Sequence, residues 1–358
     1  MNVQSLELLK KLCETPGVSG YEEPIQKLVA DELRPVVTEV KVDKLGNVIG
    51  YRKADKKPGE ARPLKVMIAA HMDEIGFIVK FIDKDGFLRL EPLGGFDPVT
   101  LVGQRVVVHG KKDVLGVIAP RPMWLLEKET QRKVPELKEL FIDLGMPKDK
   151  VVRLVSVGDV VSLAQDFKEL NEEVVTGRNF DDRVGVFVIL ETMKRLETCY
   201  ADVYAVSTVQ EELGIRGATV ASFQIEPDIG IAIDGSLASD IPDVKEEDRH
   251  CSLGKGVGIY LVDRLTVSSK VLVKCLIELA EKYNIPYQLN IGGGTDASAI
   301  QRTKAGALAC TIGPPTRYMH STVQLCHKDD IEAAIRLLNV FLENIHELDL
   351  GYAERREQ

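Results

Sequence analysis

The feature that most constrains this chain is the run Leu64–Ala70, apolar without interruption from Val66 to Ala70 and ending abruptly in His71-Met72-Asp73. A strand that is apolar on successive residues has to be covered on both faces, so it belongs in the middle of a sheet and not at a solvated edge. Further apolar runs, DVYAVSTV (202–209), DIGIAI (228–233), PYQLNI (286–291) and ALACTI (307–312), alternate with helical stretches at Arg183–Leu196, 217–223, Ser268–Tyr283 and about 330–348. Before them come two amphipathic helices, Ser5–Cys13 and Glu22–Leu33, and the strand-like VTEVKVD and NVIGYRK. Strands alternating with helices specify an α/β fold, a mainly parallel sheet sandwiched by helices.

Between Gly76 and about Leu163 the texture changes to short alternating segments separated by turns at Lys84-Asp85-Gly86 and Lys111-Lys112-Asp113. This reads as a small all-β unit. The expected organisation is therefore a discontinuous catalytic domain, residues 1–73 and 165–358, interrupted by an insertion over 74–164. Within the insertion, Arg121–Lys133 carries the only tryptophan and reads as a lid, a partner-contact loop or an ordinary surface loop.

Composition narrows the function. A net charge of −9 offers no basic footprint for phosphate backbones, so nucleic acid is not an expected partner. The N-terminus has no continuous apolar core of a signal peptide, and no apolar run approaches the roughly 20 residues that span a bilayer. Cys13, Cys199, Cys251, Cys275, Cys310 and Cys326 are scattered, with no CxxC pair, and read as reduced, buried thiols of a cytoplasmic protein.

In open parallel sheets ligands bind at the carboxyl ends of the strands. Here those ends deliver His71 and Asp73, then Asp181 and Asp182, Glu211 and Glu212, Asp234, and finally His320. Singly, Asp182 or Asp234 reads as a helix N-cap and His320 as an ordinary histidine. Together, carboxylates gathered on one edge repel one another unless positive charge lies between them, and a metal pair supplies it. Asp73, two residues beyond His71 in extended chain, points the same way and can buttress its ring. Glu211 and Glu212, being adjacent, are expected on opposite sides, one for metal and one for an attacking water. Nitrogen and oxygen donors suit zinc, cobalt or manganese.

The stretches TPGVSGYEE, AAHMDEIGF, GGFDP with LVGQRVVVHG, NFDDRVG, VQEELGIRGA, GGGTDASAI and RYMHS span nearly the whole chain, and through them the sequence resembles the M42 metallo-aminopeptidases, the family of the tetrahedral and glutamyl aminopeptidases. The resemblance implies a zinc-peptidase-like (phosphorylase/hydrolase-like) fold with a PDZ-like or barrel-like dimerisation insertion. It also implies that His71, Asp181, Glu212, Asp234 and His320 bind two divalent ions, with Asp181 bridging, a cis Asp181-Asp182 peptide, Glu211 as general base and Asp73 orienting His71. It further implies peptide substrates and dimers that assemble into a tetrahedral dodecamer. Gly294, Thr295 and Asp296, in the glycine-rich loop Gly292–Ala297, are expected near the substrate. Two departures stand out: the segment after Asp234 reads GSLASDIPD, and APRPMWLLEKE lacks the histidine that many relatives carry after the proline.

Two rivals remain. A glycoside hydrolase of the endoglucanase type also uses paired carboxylates, but has no need of converging histidines. A non-catalytic metal-binding assembly protein would have no use for Glu211. The residue cleaved is open between neutral, acidic and basic, with a lean to large neutral side chains.

Overall fold

The computed structural model describes residues 1–55, 62–125 and 134–350. Most of the Arg121–Lys133 connection therefore lies outside the described residues, although Trp124 is within them and exposed.

The strand Lys65–His71 sits inside an eight-stranded sheet, as its unbroken apolar character requires. Its neighbours, both parallel to it, are Asp202–Thr208 and Ile229–Ile233. Alternate side chains point to opposite layers. Val66, Ile68 and Ala70 join the main core with the helices Val3–Glu14, Glu23–Leu33, Phe180–Arg195, Lys270–Lys282 and Lys328–Asn344. Met67 and Ala69 pack on the other face with Ala221, Ile225 and Ile300, from the helices Arg216–Ile225 and Ala297–Gln301. Both faces are thus covered, which is why neither parity of this strand tolerates a polar residue.

The sheet is parallel at its centre and mixed towards its edges. Leu308–Gly313 continues the parallel set beside Ile229–Ile233. Val257–Val262 then pairs antiparallel to it and parallel to the edge strand Tyr287–Ile291. On the opposite side, Val48–Arg52 and Glu39–Val42 add antiparallel strands. The strand Val257–Val262 was not among the expected ones. A second, five-stranded sheet is also new, assembled from short pieces at Lys168–Glu169, Val174–Gly177, Ser236–Leu237, Pro315–Arg317 and Gln324–His327.

The segment between the two parts of the sheet closes into a six-stranded barrel. Burial alternates strictly along Asp113–Ala119, the pattern of a strand with one face inward. The barrel has its own core of Phe77, Val79, Leu88, Val106, Val108, Ile118, Ile142 and Val161.

Candidate metal centre

Register explains why the titratable residues converge. In the parallel pairing His71 lies directly opposite Thr208, and Ala69 lies opposite Ala232. The strands therefore finish level, and the residues that follow them, His71 itself, Glu211, Glu212 and Asp234, enter one space. A cavity of about 300 Å³ occupies it, lined by His71, Asp181, Glu211, Glu212, Asp234 and His320 together with Leu237, Tyr260 and Met319.

Each histidine reaches the same carboxylate. His71 Nε2 lies 2.9 Å from Asp181 Oδ1, and His320 Nε2 lies 3.2 Å from Asp181 Oδ2. His320 Nε2 is also 3.5 Å from Glu212 Oε1. The far nitrogens are held from behind: His71 Nδ1 is 3.1 Å from the Asp73 carbonyl oxygen, and His320 Nδ1 is 3.2 Å from the carbonyl oxygen of Gly95, in the loop after the barrel strand Leu88–Leu93. Fixing one ring nitrogen on an oxygen leaves the other free as a ligand, the usual device around a bound metal.

Asp73 does more than orient a ring. Its Oδ1 accepts the backbone amide of Glu211 at 2.9 Å, and its Oδ2 accepts the Ser19 hydroxyl at 2.6 Å and the Glu212 amide at 3.3 Å. Those bonds turn the Glu211-Glu212 pair. The chain leaves its strand at Thr208 and Gln210 takes a positive φ of 53°. Glu211 and Glu212 consequently sit in a turn and both line the cavity, which corrects the expectation that they face opposite sides.

The two carboxylate oxygens of Asp182 differ in their surroundings. Its Oδ1 caps the following helix by accepting the Gly185 amide at 3.0 Å. Its Oδ2 is buried with no hydrogen-bond partner among the described residues. The Asp181-Asp182 peptide is cis. Ligand atoms of His71, Asp182 and Asp234 lie within 4.8 Å of one another, as do those of His71, Asp181 and Glu212. Asp182 is the residue that strand-end reasoning named but assigned no metal.

Charge within the site is unbalanced. Burial, reinforced by acidic neighbours, pushes the carboxyls of Asp182, Glu211 and Asp234 well above the usual range. Burial, with Asp181 adding to it, raises Glu212 to about 7. Asp181 is held low despite its burial, because both histidines hydrogen-bond to it. His320 is raised by Asp181 to about 9, and His71 is raised by Asp181 and Asp73 against the opposing effect of burial. A set of buried anions of this kind is stable only when protons or cations are shared among them. Imidazole and carboxylate donors, one carboxylate oxygen without a partner and ligand atoms already within a few ångströms fit hard or borderline divalent ions.

The glycine-rich loop is partly as expected. Gly293, Gly294 and Thr295 line the cavity, and Gly292 and Gly293 have the positive φ values of a tight turn. Asp296 stands behind this wall, buried, with its Oδ2 accepting the Thr208 hydroxyl at 2.6 Å, and burial raises it to about 6. Ser19 and Gly95 were not foreseen as supports; Ser19 lies in the quoted TPGVSGYEE stretch, but nothing in its spacing points to Asp73.

Comparison with known proteins bears on the family and the fold. The model of the M42 glutamyl aminopeptidase family matches residues 46–337. The lysyl aminopeptidase of Pyrococcus furiosus is 36% identical over 355 residues, covering 96% of this chain and 98% of that one. Among solved structures, an aminopeptidase from the archaeon Desulfurococcus kamchatkensis is 42% identical with a TM-score of 0.90, covering 95% of this chain and 94% of that one. The TET1 peptidase of Pyrococcus horikoshii, described as able to assemble into a tetrahedron or a large octahedral shell, is 34% identical with a TM-score of 0.82, covering 94% of this chain and 99% of that one. The motifs, the fold and the matches along almost the whole chain have one explanation: the protein belongs to the M42 family of aminopeptidases.

Proposed function

We propose that this protein removes N-terminal residues from short peptides by metal-assisted hydrolysis, with Glu211 as the general base. The observation that carries the reading is that Glu211 lines the same cavity as His71, Asp181, Glu212, Asp234 and His320, with its backbone amide held by the Asp73 carboxylate that also faces His71. His71, Asp181, Glu212, Asp234 and His320 are the proposed ligands of two divalent ions, zinc or cobalt with manganese also suitable, and Asp181 lies between the two histidines as a bridging carboxylate would. Asp182 is a further candidate. When bound, such ions lower the pKa of water towards neutrality and polarise the scissile carbonyl.

The chain's own residues do the rest. Asp73 holds the His71 ring and, through two backbone amides, sets the direction of Glu211. Burial raises the proton affinity of Glu211 and cations bound beside it would oppose that rise, so that the ionised carboxylate can take a proton from water and pass it to the leaving amine. Gly294 and Thr295 form a wall against which a substrate backbone can lie.

The same reading assigns residues 1–73 and 165–358 to a zinc-peptidase-like catalytic domain and 74–164 to an inserted dimerisation unit. Phe81, Val99, Leu115, Trp124 and Val157, all in the inserted segment, are apolar and each more than half exposed. A tetrahedral dodecamer built from dimers is the assembly proposed for this chain; the Pyrococcus horikoshii TET1 peptidase, to which it is similar, can form a tetrahedron or a large octahedral shell. All six cysteines are buried and unpaired, in keeping with a reducing, cytoplasmic setting. No helix among the described residues is long and apolar enough to cross a membrane.

The family model is named for glutamyl activity and one relative for lysyl activity, so the preferred residue is a separate question. A glycosidase is disfavoured because two imidazoles converge on the carboxylate between them, where sugar hydrolysis needs two carboxyls facing across the substrate. A non-catalytic metal protein leaves Glu211 without a task. The test is a panel of amino-acid anilides beside a soluble cellulose, each with and without a chelator. Anilide cleavage that the chelator abolishes is the expected result; sugar release that survives the chelator, with no anilide cleaved, overturns the reading.

A further inference from the structure

Glu74 follows directly on His71-Met72-Asp73, yet its carboxylate takes no part in either group of clustered ligand atoms. It is buried, and both of its oxygens are engaged by other segments. Oε1 accepts the Gly17 amide at 3.0 Å and Arg178 Nη2 at 3.1 Å. Oε2 accepts Arg178 Nε at 2.8 Å and Asn179 Nδ2 at 3.0 Å.

A second arginine depends on the same carboxylate. Arg183 is completely buried, and its Nη2 lies 3.7 Å from Glu74 Oε1. Its Nη1 donates to the carbonyl oxygens of Leu12 and Thr15, while its Nε and Nη2 have no hydrogen-bond partner among the described residues, so that Nη2 meets Glu74 through charge alone. Glu74 is therefore the counter-charge for two guanidinium groups. Gly17 completes the junction: a Cβ there would lie 2.6 Å from Ile25 Cγ2 and 2.7 Å from Arg183 Nη2, so only glycine lets the loop come this close.

The segments tied together are the ones that carry the site. Asn179 and Arg183 flank Asp181 and Asp182. Glu74 is continuous with His71 and Asp73, and the loop holding Gly17 also holds Ser19, which donates to Asp73. We propose that Glu74 is a positioning residue for the metal centre: it locks the Thr15–Ser19 loop, the end of the Lys65–His71 strand and the Arg178–Arg183 turn at one mutual spacing, so that the ligands on the strand and on the turn are gathered in advance. This rests on the metal-dependent reading above. Groups that hydrogen-bond to ligands directly typically set metal affinity or activity by about 10- to 100-fold, and Glu74 acts one layer further out, through the segments it ties together.

The test is Glu74→Asp, which keeps the charge opposite Arg178 and Arg183 but is too short by one methylene to hold Gly17, Arg178 and Asn179 together. The measured quantity is cobalt affinity by isothermal titration of the full-length protein, with circular dichroism and thermal melting alongside. Asp330→Asn is the control, because Asp330 is another buried carboxylate that holds the Gly254 and Gly256 amides, in a different part of the molecule. Glu74→Asp is expected to weaken cobalt binding by about 10-fold, the lower end of the effect of groups that touch ligands directly, while Asp330→Asn leaves cobalt binding within a factor of about two. Should Glu74→Asp fail to fold, Arg178→Lys, which loses the paired contact, is expected to show the same loss. Folded Glu74→Asp or Arg178→Lys protein that binds cobalt as the wild type does, or an equal loss in Asp330→Asn, overturns the proposal. Wild-type protein that takes up no cobalt instead overturns the metal-dependent reading itself.

Discussion

Asp73 Oδ1 accepts the backbone amide of Glu211 at 2.9 Å while lying 3.4 Å from His71 Nδ1. One carboxylate thus fixes both a proposed ligand, at the end of one strand, and the proposed base, in the turn that follows another. Replacing it disturbs both at once. Asp73→Ala leaves the part-buried amides of Glu211 and Glu212 and the buried Ser19 hydroxyl without their acceptor, and a buried group so orphaned costs about 1 to 3 kcal/mol. The expected outcome is a lower melting temperature together with a fall in kcat of about 10- to 100-fold, read by thermal melting and anilide turnover; unchanged kcat argues against the coupling.

Neighbouring glutamates should separate by role. Glu211→Gln removes a proton acceptor and is expected to lower kcat by about 10²- to 10⁴-fold, with metal content unchanged. Glu212→Gln removes a proposed ligand, so metal content falls with activity. Elemental analysis of both purified variants, set beside their kinetics, distinguishes the two roles; equal metal loss in both contradicts the assignment.

Metal removal should be felt in stability as well as rate. Burial and mutual repulsion raise Asp182, Glu211 and Asp234, so ions that bind the folded cage stabilise it. At a free concentration 100 times Kd the gain is about 2.7 kcal/mol per site. Thermal melting with a chelator, then with zinc or cobalt restored, is expected to show a concentration-dependent rise.

Much of this centre is readable in the chain because ligands lie just beyond apolar runs, and parallel strands that end level bring such residues together. His71, Glu212 and Asp234 follow that logic, whereas Asp181, after Val174–Gly177, and His320, after Pro315–Arg317, come from strands of the second sheet. The support around them is not readable in this way, since Ser19, Glu74 and Gly95 make contacts fixed by loop paths and not by periodicity. The same limit applies to the fold. Met67 and Ala69 facing one layer and Val66, Ile68 and Ala70 the other are implied by an unbroken apolar strand, whereas Ser236–Leu237 and Lys168–Glu169 are too short to carry any period.

Asp330 gives a pH prediction away from the cage. Burial raises its carboxyl from 3.8 to about 6, against the two glycine amides that favour the charged form. A carboxyl raised in the folded state binds its proton more tightly there, so its contribution favours folding at low pH and is lost as pH climbs from near 4 through about 6. The stability of wild type relative to Asp330→Asn should therefore decline over that interval, by something of the order of 2 kcal/mol. Denaturant melts of both proteins at several pH values check it; a difference that stays flat removes Asp330 as the source.

The most direct measurement is an anomalous difference map from crystals grown with zinc or cobalt. The account predicts two peaks, about 3.5 to 4 Å apart as in two-metal sites, within reach of His71, Asp181, Glu212, Asp234 and His320. A map that leaves those five side chains without an ion, or places metal only elsewhere on the molecule, contradicts it.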